Sequence, residues 1–95
     1  MREVAVLGVG QSQFGKMPEV SAAVLGRDAV LAAIKDAGIS ARDIQVAYSS
    51  RLYDAAITSQ DVLKEVGITG LEMINVENAC AGGATAVRGV WMEIA

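Results

Sequence analysis

The sequence predicts an α/β fold with a mostly parallel sheet, on three observations. Short β-branched apolar runs alternate with segments of helical period, the order that builds parallel strands through right-handed crossovers. The 95 residues are 53% apolar but only 4% aromatic. An apolar mass of Ala, Val, Ile and Leu suits strands buried on both faces. Finally, residues 78–89 are so rich in Gly and Ala that they predict a slim helix which other elements can wrap closely.

Residues 3–9, Glu-Val-Ala-Val-Leu-Gly-Val, read as the first strand, closed by Gly8 and Gly10. After a polar loop through Lys16, Pro18 suits the first turn of a helix whose face carries Val20, Val24, Leu31 and Ile34, with Gly38 as its stop. Ser40-Ala41-Arg42-Asp43 resembles a capped single turn, and residues 44–49 read as a second strand. Thr58 or Ser59 caps a short helix carrying Val62, Leu63 and Val66 and ending at Gly67, with Lys64 and Glu65 on its solvated face. Met73-Ile74-Asn75-Val76 is the third strand. The last helix starts near Cys80 and repeats apolar residues at Ala84, Val87, Val90, Trp91 and Ile94; Trp91 and Met92 are expected in the core. No stop signal precedes Ala95, so residues 1–95 are read as an incomplete domain ending in mid-helix.

Charge and composition exclude several classes. Eight Lys and Arg against eleven Asp and Glu leave a net charge of -3, and without a basic cluster no nucleic-acid partner is expected. No apolar stretch is long enough to span a bilayer and Met1-Arg2-Glu3-Val4 lacks a signal-peptide layout, so a cytoplasmic protein with no membrane partner is expected. A single cysteine and no histidine leave no internal disulfide and no His-ligated metal site, and no metal is expected.

Two segments invite a chemical reading. Gly8-Val9-Gly10 after a strand resembles the start of a dinucleotide-binding turn, but its third glycine position is Gln13 and the helix opens too far on, so a structural strand-end turn is the better reading. The second segment passes from a strand through Asn78-Ala79-Cys80 into a Gly/Ala helix. A thiol beside a helix N-terminus meets the positive end of the dipole, which favours the nucleophilic thiolate. Unpaired amides there can hold the oxyanion of an attacked thioester, and glycine at 82 and 83 leaves room for a narrow acyl substrate. The alternative is that Cys80 only packs, as free cysteines commonly do, and no activating base is visible. Asn78 either serves a bound substrate or bonds backbone within the turn, the turn being the commoner use. Tyr48, Arg51, Tyr53 and Asp54 follow the second strand, where α/β proteins place binding groups and subunit contacts alike.

Residues 76–87, Val-Glu-Asn-Ala-Cys-Ala-Gly-Gly-Ala-Thr-Ala-Val, resemble the nucleophile segment of thiolases, in particular acetyl-CoA acetyltransferases of the sterol-carrier-protein and lipid-transfer branch. Residues 4–16 are similar to that branch's first strand and loop, as are Asp36-Ala37-Gly38-Ile39 and Asp43-Ile44. The resemblance implies five α-β-α-β-α layers, of which this chain supplies the first strands and the helix after the nucleophile. It implies that Cys80 is acylated by a CoA thioester during 3-oxoacyl-CoA cleavage or the reverse Claisen condensation. Asn78, Gly82 and Gly83 then lie in the substrate or oxyanion region. Acyl-CoA and CoA are substrates, and no cofactor is permanently bound. A homo-oligomer is implied, and some members of the branch also work with a small zinc-ribbon and OB-fold companion chain. The family's base and second catalytic residue fall outside the matched region. Glu77 departs from the asparagine that many members carry three residues before the cysteine. A non-catalytic thiolase-like subunit or interaction module in which Cys80 only packs is the alternative.

Overall fold

The computed structural model describes residues 1–51 and 58–95. Its elements are α1 (Ala22–Ala37), a 3-10 turn (Ala41–Asp43), β1 (Val46–Ser50), α2 (Thr58–Val66), β2 (Glu72–Val76) and α3 (Gly82–Ile94). The two strands pair in parallel, from Val46 opposite Glu72 to Ser50 opposite Val76, so both carboxyl ends lie at one edge. This is the predicted α/β arrangement, with a helical crossover between parallel strands.

Local chemistry sets most boundaries. Helix α1 begins four residues later than Pro18 suggests, because Ser21 stays extended and its hydroxyl accepts from the Val24 amide at 3.2 Å, capping the helix there. Pro18 lies in the turn that precedes it. Gly38 ends α1 at φ 70° and Gly67 follows α2 at φ 90°, a backbone that costs a side chain little only when there is none. Ser40 and Asp43 form the expected cap, and do so reciprocally: the Ser40 hydroxyl accepts from Arg42, and the Asp43 carboxylate accepts from the Ser40 amide at 2.9 Å.

Helix α2 is held differently from the prediction. Thr58 and Ser59 are themselves helical, and the acceptor for the Ser59 amide is the Asn75 side-chain oxygen of β2, at 2.7 Å. Asn75 also donates to Gln60, while the fully buried Ser59 hydroxyl donates to the Ile74 carbonyl at 3.2 Å. A strand side chain thus caps a neighbouring helix. Asn75→Ala is expected to cost about 1–2 kcal/mol, read as a lower urea midpoint with unchanged slope in the intact protein. An unmoved midpoint would refute the capping role.

The predicted first strand is not one. Residues 3–9 carry no strand pairing among the described residues; the Val9 amide donates to the Asp36 carboxylate at 2.9 Å, and the Arg2 amide just before the segment donates to the Ala95 carbonyl. A strand exists through its ladder, and among the described residues β1 and β2 pair only with each other. The segment instead lies against α1. A β-carbon on Gly8 would stand 2.6 Å from the Ala37 amide and 2.7 Å from the Ala33 carbonyl. The two glycines therefore allow close approach to a helix rather than making a strand-end turn.

The core is small: Val62, Leu63, Ala86 and the hydroxyl-bearing Ser59. Trp91 and Met92, expected inside, are 42% and 54% exposed, and Val6, Leu7 and Val9 more so, because their faces of α3 and of residues 3–9 meet no covering layer among the described residues. The accessible surface is 6811 Å², against about 5,200 Å² for a compact monomer of this mass. Between residues 4–8, α1 and α3 an apolar cleft of about 520 Å³ remains open. None of the described helices is long and apolar enough to cross a membrane.

Candidate functional site

Beyond Val76 the chain makes a tight turn. The Ala81 amide donates to the Asn78 carbonyl at 2.9 Å, which closes Asn78–Ala81 into four residues with Cys80 in third place. Ala79 adopts φ 46°, the only left-handed non-glycine among the described residues. Such a backbone is uncommon for alanine and marks a position that its surroundings hold in place. Helix α3 starts at Gly82, directly behind the turn, and Gly82 packs on the end of β1: a β-carbon there would stand 2.8 Å from that of Ser50. The turn is thereby set at the carboxyl edge of both parallel strands, where open α/β sheets bind ligands.

Cys80 is a free, exposed thiol in this chain. The expected amides are partly committed. Those of Ala81 and Gly82 bond the Asn78 and Ala79 carbonyls, and Ala81 brings no side-chain cap. The donors left at the start of α3 are the amides of Gly83 and Ala84, which have no acceptor among the described residues. The two glycines differ as well: Gly82 is buried against β1, whereas Gly83 faces open space on the exposed side.

The Asn78 side chain does not bond backbone within its own turn. It donates to the Thr85 hydroxyl at 2.9 Å, and that hydroxyl donates on to the Ala81 carbonyl at 2.9 Å. The Glu77 carboxylate accepts from the Ala79 amide at 2.6 Å. Neither Thr85 nor Glu77 follows from the sequence reading as a bonding partner of this turn. The available signal is Thr85 as the one hydroxyl in the first turns of an otherwise Gly/Ala helix, at i+4 from Ala81.

The remaining candidates separate. Tyr48 is within β1 rather than in a loop after it. Its hydroxyl donates to the Glu93 carboxylate at 3.0 Å and its ring lies over Gly89, tying β1 to α3. The hydrogen bond to Glu93 raises the Tyr48 phenol above its ordinary 10.0, with desolvation and the neighbouring carboxylate charges adding to it. The neutral phenol is the bonded form, so this tie is complete below pH 10 and is lost as alkali ionises it. Arg51 extends the strand pairing through its amide, which donates to the Val76 carbonyl at 3.2 Å. Tyr53 and Asp54 lie outside the described residues. Lys64 and Glu65 are exposed, as expected of a solvated face.

No family profile matches the chain, but individual proteins do. It is 42% identical over 89 residues to a benzoylsuccinyl-CoA thiolase subunit of Thauera aromatica, covering 92% of the chain and 23% of that protein. It is 34% identical over 100 aligned positions to an acetyl-CoA acetyltransferase of Methanothermobacter thermautotrophicus, covering all of the chain and 26% of the relative. Sterol carrier protein 2 of Gallus gallus is 36% identical over 89 residues, 90% of the chain and 16% of that protein. The chain thus spans about a quarter or less of the length of these relatives.

Proposed function

We propose, from the premise that the chain belongs to the thiolase superfamily, that it carries the nucleophile of an acyl-CoA acyltransferase and that Cys80 is that nucleophile. The observation that carries the reading is an exposed thiol held in a tight turn at the carboxyl edge of two parallel strands, in front of α3.

In the cleavage direction the Cys80 thiolate adds to the 3-oxo carbon of a 3-oxoacyl-CoA. The C2–C3 bond breaks, the shortened CoA ester leaves as its carbanion and takes up a proton, and the acyl group stays on Cys80 as a thioester. The thiolate of free CoA then attacks that thioester, releasing acyl-CoA and the cysteine. Condensation is the same sequence reversed. The uncommitted amides of Gly83 and Ala84 are the donors this chain offers to a carbonyl oxygen taking on charge. Gly83 leaves the approach free of a side chain. With no histidine in these 95 residues, the group that takes the Cys80 proton belongs to another part of the protein. Acyl-CoA and CoA are the substrates of this reading, and a homo-oligomer, with or without a small companion chain, is its working form.

The test is chemical labelling of the intact protein. Incubation with acetyl-CoA is expected to leave an acetyl group on the peptide containing Cys80, and iodoacetamide to modify Cys80 selectively, with acyl-CoA protecting it. An active protein whose Cys80 takes neither label would overturn the assignment.

A further inference from the structure

We infer that Asn78, Thr85 and Glu77 are positioning residues for Cys80, forming a clamp that closes over the turn from both sides; the inference rests on the acyl-transfer reading of Cys80. A threonine hydroxyl has one hydrogen to donate and two lone pairs with which to accept. Thr85 uses both capacities on residues that bracket the cysteine: it accepts from the Asn78 side chain on one side and donates to the Ala81 carbonyl on the other, each at 2.9 Å. Back-bonding to the fourth preceding carbonyl is common for threonine in a helix. The unusual element is the second bond, which reaches out of α3 to the residue two before the thiol.

The other arm is Glu77. Its carboxylate takes the amide of Ala79 at 2.6 Å, a hydrogen bond strengthened by the charge on its acceptor. Ala79 is the residue in the left-handed conformation, and an alanine stays there only when its neighbours outweigh the steric cost. With the Asn78 carbonyl holding the Ala81 amide, every residue flanking Cys80 within this turn is fixed by a side-chain bond or a backbone bond. The cysteine side chain is exposed with the rest of the turn and takes no part in these bonds, so the clamp fixes the backbone that carries it. An attacking atom held in this way gains rate through orientation, and a displacement of about 1 Å can cost up to roughly 100-fold.

The experiment compares Thr85→Val, Thr85→Ser, Asn78→Ala and Cys80→Ser in the intact protein, with melting curves for each. Thr85→Val keeps the shape and removes the hydroxyl. It is expected to lower kcat roughly 10- to 100-fold with KM changed by less than about twofold, and to slow alkylation of the thiol. Thr85→Ser restores the bridging oxygen and is expected to recover kcat to within about threefold. Asn78→Ala alters an exposed side chain and decides the matter should Thr85→Val fail to fold. It is expected to match the kcat loss of Thr85→Val, with no further loss when the two are combined. Wild-type kcat in Thr85→Val or in Asn78→Ala, a serine variant as impaired as the valine one, or losses that only track the folded fraction would each overturn the clamp. Persisting turnover in Cys80→Ser would instead remove the acyl-transfer reading itself.

Discussion

Cys80→Ser is expected to reduce turnover of the intact protein by roughly 1,000-fold or more while leaving its melting temperature unchanged. The two halves of that expectation have separate causes. Serine matches the size of cysteine, and the side chain it replaces is exposed, so no cavity opens and the stability change should stay within about 0.5 kcal/mol. Chemistry is affected far more. A serine hydroxyl is scarcely ionised at neutral pH, and on the acyl-transfer reading the site serves a thiolate and does not supply the stronger base that an alcohol needs. The opposite pattern, a lower melting temperature with activity lost only in proportion to the unfolded fraction, would identify Cys80 as a packing residue. The comparison requires both measurements on the same preparation, because either result alone fits both roles.

What was legible in the sequence is what local chemistry decides. Gly38, Gly67 and the Ser40–Asp43 pair act within a few residues of themselves, and each ends or caps its element where the residues suggest. The alternation of elements also placed Cys80 correctly between β2 and α3. The misses involve partners distant in sequence or absent from the described residues. Asn75 caps α2 from sixteen residues away, and nothing in a strand pattern distinguishes a side chain that caps another element from one that faces solvent. Residues 3–9 have the composition of a doubly buried strand, yet no neighbour among the described residues supplies a ladder, so the pattern shows an inclination rather than the conformation taken. At the turn, the motif pointed to the cysteine as the candidate. The left-handed Ala79 and the bonds that hold it emerge only when backbone and side chains are seen together.

Gly10→Ala is expected to destabilise the protein by about 1–3 kcal/mol, an unusual cost for one methyl group on an exposed residue. A β-carbon on Gly10 would stand 2.5 Å from the Ala33 amide nitrogen and 2.8 Å from the Ala32 β-carbon, and would also press on the Ala29 carbonyl. Two of those three are backbone atoms of α1, which cannot rotate aside as a side-chain tip can. The segment must therefore lift from the helix, and its neighbouring bond from Val9 to Asp36 is strained with it. Gly83→Ala supplies the control, since its β-carbon would meet no atom within 4 Å. Within α3 that change should stabilise by up to about 1 kcal/mol through helix propensity alone. Urea midpoints of the two variants should accordingly move in opposite directions. If both fall, the general intolerance of these glycines, rather than close approach to α1, explains them. If Gly83→Ala instead gains stability while losing turnover, the open surface at Gly83 is needed by the substrate and not by the fold.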